Sequence, residues 1–288
     1  MAILTQEKIA RARAYIEHKA GALKQNDSKA RRTFERRLEN RLVRRFKQQL
    51  AWIVTEAEKL PFLQPAKGIK RLERKTAQQE AEDLANRLPF HEEVTDEIIN
   101  ISKQSYKRGA KSIYVKMDMG KSGIDFSLVN QPAVEYLAKL KDLHLSEARG
   151  SIKRETKKRI IKLLTDAAES GASYQETARK IREQGDAGVF SRSRAELIAT
   201  NNVGHAYGVG SKEMIDQYRA ETGALLQKYW ITVQDSSVTE ECRANEAMGW
   251  IGIDEHFKSG DSFAPRESNP RCRCDTGYRQ VDTQNKPI

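Results

Sequence analysis

The sequence predicts an α+β chain, in which an all-α, basic N-terminal region leads into a mainly helical domain that closes with a small antiparallel β-sheet. Three observations carry that expectation. Apolar residues recur every three or four positions along most of the chain before Gln227, short glycine-bounded apolar and aromatic runs replace that period afterwards, and all three cysteines fall within the last 47 of the 288 residues. With 38% hydrophobic and 32% charged residues the chain can fill one or two modest cores, and its length favours two domains, here expected at 1–119 and 120–288.

The first helix is expected over roughly Thr5 to Leu23, joined through Gln25-Asn26-Asp27 to a longer one. In the second, Phe34, Leu38, Leu42, Phe46, Leu50, Ile53, Ala57 and Leu60 form one apolar stripe, Asp27 or Ser28 can cap the start, and Pro61 closes the end. The pair reads as an antiparallel helical hairpin. Its charge is lopsided: residues 1–75 hold 20 Lys and Arg against 8 Asp and Glu, a net of +12 in a chain whose total is +11. Lys29, Arg31, Arg32, Arg36, Arg37, Arg41, Arg44, Arg45 and Lys47 crowd the second helix, a density that suits non-specific contact with double-stranded DNA and equally a solvated outer face. Aromatic residues do not interleave with this basic face, which argues against a single-stranded partner.

The run from Pro61 to Gly68 is a linker or turn, after which Leu72, Ala81, Leu84 and Leu88 mark one helix and Thr95 to Tyr114 another. Met117 to Gly123 forms a boundary. Its Gly120-Lys121-Ser122 is not a phosphate loop, because Val115 stands where the leading glycine is required. Past Pro132 three amphipathic helices are expected. The middle one carries Ile152, Thr156, Ile160, Leu163, Leu164 and Ala167 and stops at Ser170-Gly171; Ser173-Tyr174-Gln175-Glu176 is a capping box for the last, with Tyr174, Ala178 and Ile181 inward. Gln227 to Val233, Trp250 to Ile253 and Cys274 to Val281 read as strands, with Trp230 and Trp250 as packing residues.

Arg194-Ala195-Glu196-Leu197-Ile198-Ala199-Thr200-Asn201-Asn202 with Ala206, then Lys228-Tyr229-Trp230, Asp235, Cys242 and the terminal Asn269-Pro270-Arg271-Cys272-Arg273-Cys274 stand in a specific order. Together with the Phe126-Ser127-Leu128 entry, Asn130 and the Ser170–Ser173 turn, they resemble the phage Mu protein F-like family of head-morphogenesis or minor head proteins, over roughly residues 124–280. The chain departs from the family pattern at three places. Asn202 replaces a carboxylate, Thr239 a cysteine, and Asn269 a histidine. A full set would resemble a four-ligand zinc site, and Cys242, Cys272 and Cys274 are what this chain retains of it.

Structural zinc takes four ligands, so three cysteines are one short. His256 could complete a Cys₃His site and His205 could approach from its helix; three free thiols, or a disulfide from Cys242 to one of the terminal pair, fit the same residues. In each case the Cys242 loop is expected to fold against the terminal strand. No cofactor is required beyond a possible structural zinc.

Enzymatic signatures are lacking: there is no nucleophile elbow, no His-Glu-x-x-His helix and no dinucleotide fingerprint around Gly204, Gly208 and Gly210, whose spacing instead fits close helix packing. A metal-dependent nuclease or packaged toxin-like enzyme is the alternative, weakened by the missing acidic cluster. No stretch is apolar enough to span a bilayer and the first residues lack the apolar core of a signal peptide, so no membrane partner is expected and the chain is expected to be made in a reducing host cytoplasm. The resemblance implies a non-enzymatic structural protein of a tailed-phage virion, inside the head near the portal vertex, acting in procapsid assembly and DNA packaging or delivery. Portal protein and major capsid or scaffolding protein are its implied partners, and the basic region adds DNA.

Overall fold

The computed structural model describes residues 6–63, 74–123, 144–265, 269 and 271–287, with the isolated positions 126 and 135; side chains are described from Lys29 onward, apart from 62, 74–75 and 144–153. Seven α-helices and a three-stranded antiparallel sheet make up the described residues, as the α+β expectation requires. None of these helices is long and apolar enough to cross a membrane. The linker after Leu63, the Ser127–Asn130 entry and the first of the three helices expected past Pro132 lie outside the described residues.

Helix α1 runs without interruption from Gln6 to Ala57, which corrects the expected hairpin. Gln25-Asn26-Asp27 has no glycine or proline. Asn and Asp inside a helix cost only about 0.5–0.7 kcal/mol each relative to Ala, too little to enforce a turn. The stripe is as expected: Leu38, Leu42, Phe46, Ile53, Ala57 and Leu60 are buried and Phe34 and Leu50 pack at its margin.

Helices α2 (Arg74–Asn86) and α3 (His91–Lys116) follow. The latter starts four residues before the expected Thr95, at a left-handed Phe90, with Glu92 and Glu93 in the first turn where the helix dipole favours acidic side chains. Helix α4 (His144–Ser170) ends at the expected turn, and α5 (Tyr174–Glu183) opens with both halves of the capping box formed between Ser173 and Glu176. Helix α6 (Arg192–Thr222), capped by Ser191, is the central element and packs against α1 and α3. Its glycines explain how closely α3 approaches. A Cβ on Gly210 would lie 2.2 Å from the Tyr106 carbonyl oxygen, and one on Gly109 of α3 would lie 2.2 Å from that of Tyr207. Ser105 Oγ donates to the Val203 carbonyl across the same seam at 2.8 Å.

Apolar residues from both sides of the 119/120 division share cores. One cluster joins Leu38, Phe46 and Ile98 to Ile160, Ile181 and Ile198, and another joins Tyr106 and Ile113 to Met214 and Leu226. The chain then forms β1 (Leu225–Ile231), helix α7 (Glu240–Ala247), β2 (Ile251–Gly252) and β3 (Asp275–Val281), in the sheet order β2-β1-β3 with Lys228 opposite both Ile251 and Tyr278. Leu226, Lys228 and Trp230 alternate onto the buried face of β1. A third core, around Trp230, Phe257 and the cysteines, fills the space behind this sheet.

Candidate functional site

Cys242 occupies the first turn of α7, where the backbone N–H groups and helix dipole favour negative charge on sulfur. Thr239 is the N-cap, its Oγ1 accepting from the Cys242 N–H at 3.4 Å, so the residue standing where the resemblance led one to look for a cysteine serves the helix instead. Cys272 and Cys274 arrive on the approach to β3. Arg271 turns the chain there in the left-handed region (φ 95°), a conformation costing a non-glycine residue of order 1–3 kcal/mol. Its N–H donates to Asn201 Oδ1 of α6 at 2.9 Å, and the Cys272 N–H donates to the Asn269 carbonyl at 3.0 Å.

Arg273, between the two cysteines, is gripped from outside: its guanidinium donates to Asp235 at 2.5 Å and to the Ser237 hydroxyl. The Ser237 hydroxyl and N–H also donate to the Asp235 carboxylate, and these bonds foremost, with Arg273, hold the Asp235 carboxyl below the usual range. From inside comes Arg31 of α1. It donates to the Arg273 carbonyl at 2.6 Å and the Cys274 carbonyl at 3.1 Å, while its Nε lies 3.2 Å from Glu35.

The three sulfurs lie within 4.8 Å of one another, Cys242 and Cys272 at 3.9 Å, and all three residues are buried. Trp230 is fully buried against Phe257 (centroids 4.9 Å apart) in the same core as the cysteines, and its indole N–H finds no hydrogen-bond partner among the described residues. Burial pushes the Cys242 thiol up. The Cys272 sulfur, together with burial, pushes the Cys274 thiol up. Three mutually close sulfurs in an apolar shell resist ionising together without a cation between them. The donor set therefore fits a soft, thiophilic ion, and the expected folding of the Cys242 loop against the terminal segment is present.

His256 does not join this group. It is exposed, and its Nδ1 contacts the Gly260 carbonyl at 3.0 Å within its own loop, whose turn is closed by the Phe257 N–H to Asp261 carbonyl bond. His205 is half-buried beside the Phe263 ring, 5.8 Å between centroids, and is also absent from the group. Among the described residues this trio is the one cluster of three or more His, Cys, Asp or Glu side chains placed to share an ion. Lys228, buried and pushed down by that burial, donates to the Ser262 carbonyl at 2.9 Å and lies over the Phe257 ring, bracing the loop that carries His256.

The basic residues of α1 separate into three sets. Arg31 is buried, which removes it from any DNA-facing surface and corrects its inclusion there; it stands seven residues before Leu38, on the stripe side of the helix. Arg41, Arg44 and Arg45 converge on the buried carboxylate of Glu97 in α3 at 3.4, 3.5 and 3.4 Å. Lys29, Arg32, Arg36, Arg37 and Lys47 are exposed and lie outside that cluster, with Arg37 donating to Gln104 at 3.1 Å. Lys29, Arg32, Arg36 and Lys47 fall at helical spacing on one stripe, spanning about 27 Å at 1.5 Å per residue.

Residues 158–276 match the family model described as Phage Mu protein F like protein. That segment is similar to phage Mu protein F. The family is one of phage head morphogenesis, and no curated protein or solved structure matches the chain. The matched segment begins within α4 and ends at the second residue of β3, so it contains Asn201, Trp230, Asp235 and all three cysteines. Those separated landmarks of the Mu F-like sequence meet at one place: Asn201 fixes the turn, Asp235 holds Arg273, and Trp230 underlies the sulfurs. Arg31 comes from outside the match. Its signal in the sequence is its position on the apolar stripe, which the surrounding basic residues mask.

Proposed function

We propose that this protein is a non-enzymatic minor head protein of a tailed bacteriophage, acting within the virion near the portal in head assembly and genome packaging or delivery, with portal and capsid or scaffolding proteins as partners. One observation carries the reading. The motif residues of the Mu F-like segment are spent on building a closed knot around Arg273 and the sulfurs, with Asn201, Asp235 and Trp230 all engaged in holding the chain rather than lining an open cleft. The cluster has no carboxylates of the kind that a metal-dependent phosphoryl-transfer site uses.

The exposed stripe of α1 supports non-specific contact with duplex DNA, since phosphate neutralisation needs only an accessible row of cations. Mass spectrometry of purified particles tests the head assignment. The protein is expected in the virion at low copy number, and its absence from particles of a producing phage sinks the reading. DNA contact is tested with the full chain and the variant Lys29→Glu/Arg32→Glu/Arg36→Glu/Lys47→Glu. Wild-type binding should weaken steeply with salt and the variant should lose most of it, whereas equal binding by both removes DNA from the proposal.

A further inference from the structure

We propose that Cys242, Cys272 and Cys274 together bind one zinc ion through three thiolates, with a water or small solute ligand in the fourth position. Four observations support this, and none depends on the head assignment.

The sulfurs come from two segments 30 residues apart, yet the fold brings all three within 4.8 Å of one another. Zinc–sulfur bonds of about 2.3 Å in tetrahedral geometry set the sulfurs about 3.8 Å apart, and Cys242 and Cys272 already stand at 3.9 Å. A disulfide would close only one pair and leave the third thiol against it.

Trp230 supplies the second observation. Its ring is 0% exposed, its N–H has no hydrogen-bond partner among the described residues, and it packs in the same core as the three sulfurs. A buried unpaired N–H is costly, about 1–3 kcal/mol, and a metal-bound thiolate is the acceptor that satisfies it. Around metal sites such outer hydrogen bonds orient the ligand and tune its affinity.

The third is Cys242's place in the first turn of α7, where the helix dipole offsets part of the cost of a buried negative charge. The fourth is the fixing of the Cys272–Cys274 arm before any ion arrives. Asn201, Asp235 and Arg31 hold the backbone and side chains of Arg271, Arg273 and Cys274. Zinc therefore meets an ordered triangle and little chain entropy remains to be lost on binding. Binding converts three thiols to thiolates and releases three protons per ion, with no oxidation or reduction.

The test uses the full chain purified under reducing conditions. After dialysis, elemental analysis is expected to find one zinc per chain. Cobalt exchanged into the site should give a near-ultraviolet thiolate-to-metal charge-transfer band and visible bands of tetrahedral intensity. Zinc-edge X-ray absorption should show sulfur at about 2.3 Å. The variants Cys242→Ser and Cys274→Ser should lose the ion, His256→Ala should retain it, and Trp230→Phe should bind about tenfold more weakly in competition with a chelator, in line with the loss of an outer-shell partner. The X-ray absorption measurement needs no variant, so it decides the matter even if a serine replacement fails to fold. The proposal is overturned if the reduced, folded wild-type chain takes up neither zinc nor cobalt, or if the bound ion shows no sulfur neighbours. It is equally overturned if uptake persists in a folded Cys242→Ser/Cys274→Ser chain.

Discussion

Arg31 Nη1 donates to the Cys274 carbonyl at 3.1 Å, joining α1 to the lead-in of β3 across 243 residues of sequence. The same guanidinium donates to the Arg273 carbonyl at 2.6 Å, so one side chain satisfies two consecutive backbone acceptors on the cysteine arm. Planar geometry with several donors suits that double contact, whereas a lysine ammonium offers a single point of charge. Arg31→Met should strand both carbonyls and destabilise the chain by about 2–4 kcal/mol, taking 1–3 kcal/mol per buried unsatisfied group and partial access of water to the site. Arg31→Lys should recover part of that. Urea unfolding gives the magnitude, and hydrogen exchange should show faster opening at Cys274–Tyr278; unchanged stability and exchange in Arg31→Met would show that the clamp carries no energy.

The seam between α3 and α6 is set by glycines meeting carbonyls. A methyl group on Gly210 would meet the Tyr106 carbonyl oxygen at 2.2 Å, and a backbone atom on a packed helix cannot swing aside as a side-chain end would. Gly210→Ala must separate the helices, which loosens the contacts of Tyr106, Met214 and their neighbours in the same core. Overpacking of this kind typically costs about 1–3 kcal/mol, and the backbone clash puts the expectation at or above the middle of that range. Thermal and urea unfolding check it, with Gly109→Ala expected to act in the same direction from the opposite helix.

Much of this architecture is legible in the sequence because its signals are local. The stripe from Leu38 to Leu60, the Ser173–Glu176 capping box and the alternation through Trp230 each need only a few neighbouring residues to be read. The continuous α1 was hidden because Gln25-Asn26-Asp27 are weak helix formers without being breakers, so the decision falls to small energy differences. Within the candidate site, the meeting of the cysteines was foreseeable from their clustering, but the exclusion of His256 was not: its ring turns toward Gly260 in its own loop. Arg31 and the Arg41, Arg44 and Arg45 set were obscured for a further reason. A cation facing solvent and one facing a buried acceptor have the same letter in the sequence, and only the distant partners, Cys274 and Glu97, separate them.

Glu97 is the carboxylate that keeps three arginines of α1 against α3. Replacing it with alanine leaves Arg41, Arg44 and Arg45 without their shared acceptor, although their partial exposure lets water take over some of that role. A loss of about 1–2 kcal/mol is expected, below the 3–5 kcal/mol for breaking a fully buried pair. The same variant adds positive charge to the α1 surface and releases side chains toward solvent. If that surface meets DNA, affinity at low salt should rise while stability falls. Unfolding by urea and a salt-dependent binding titration on the one variant give both readouts, and a fall in affinity would assign the three arginines to structure alone.

Glu35 offers a pH test of the Arg31 clamp. Burial pushes its carboxyl above the usual value even though Arg31, Arg32 and Arg273 pull it down. A carboxyl whose pKa is higher in the folded chain than in the unfolded chain binds its proton more tightly when folded. Its contribution to stability is therefore fully present below the unfolded pKa and is lost as pH rises through the folded one. Glu35→Gln removes the titration while keeping the shape. Relative to that variant, the wild-type chain should lose stability as pH climbs from about 4 toward 7, the interval that begins near the unfolded carboxyl value. The comparison is made by urea unfolding at several pH values on both chains. An opposite trend, with the wild type gaining on Glu35→Gln as pH rises, would mean that attraction to Arg31 at 3.2 Å outweighs burial and that the pair is a net stabilising link between α1 and the cysteine arm.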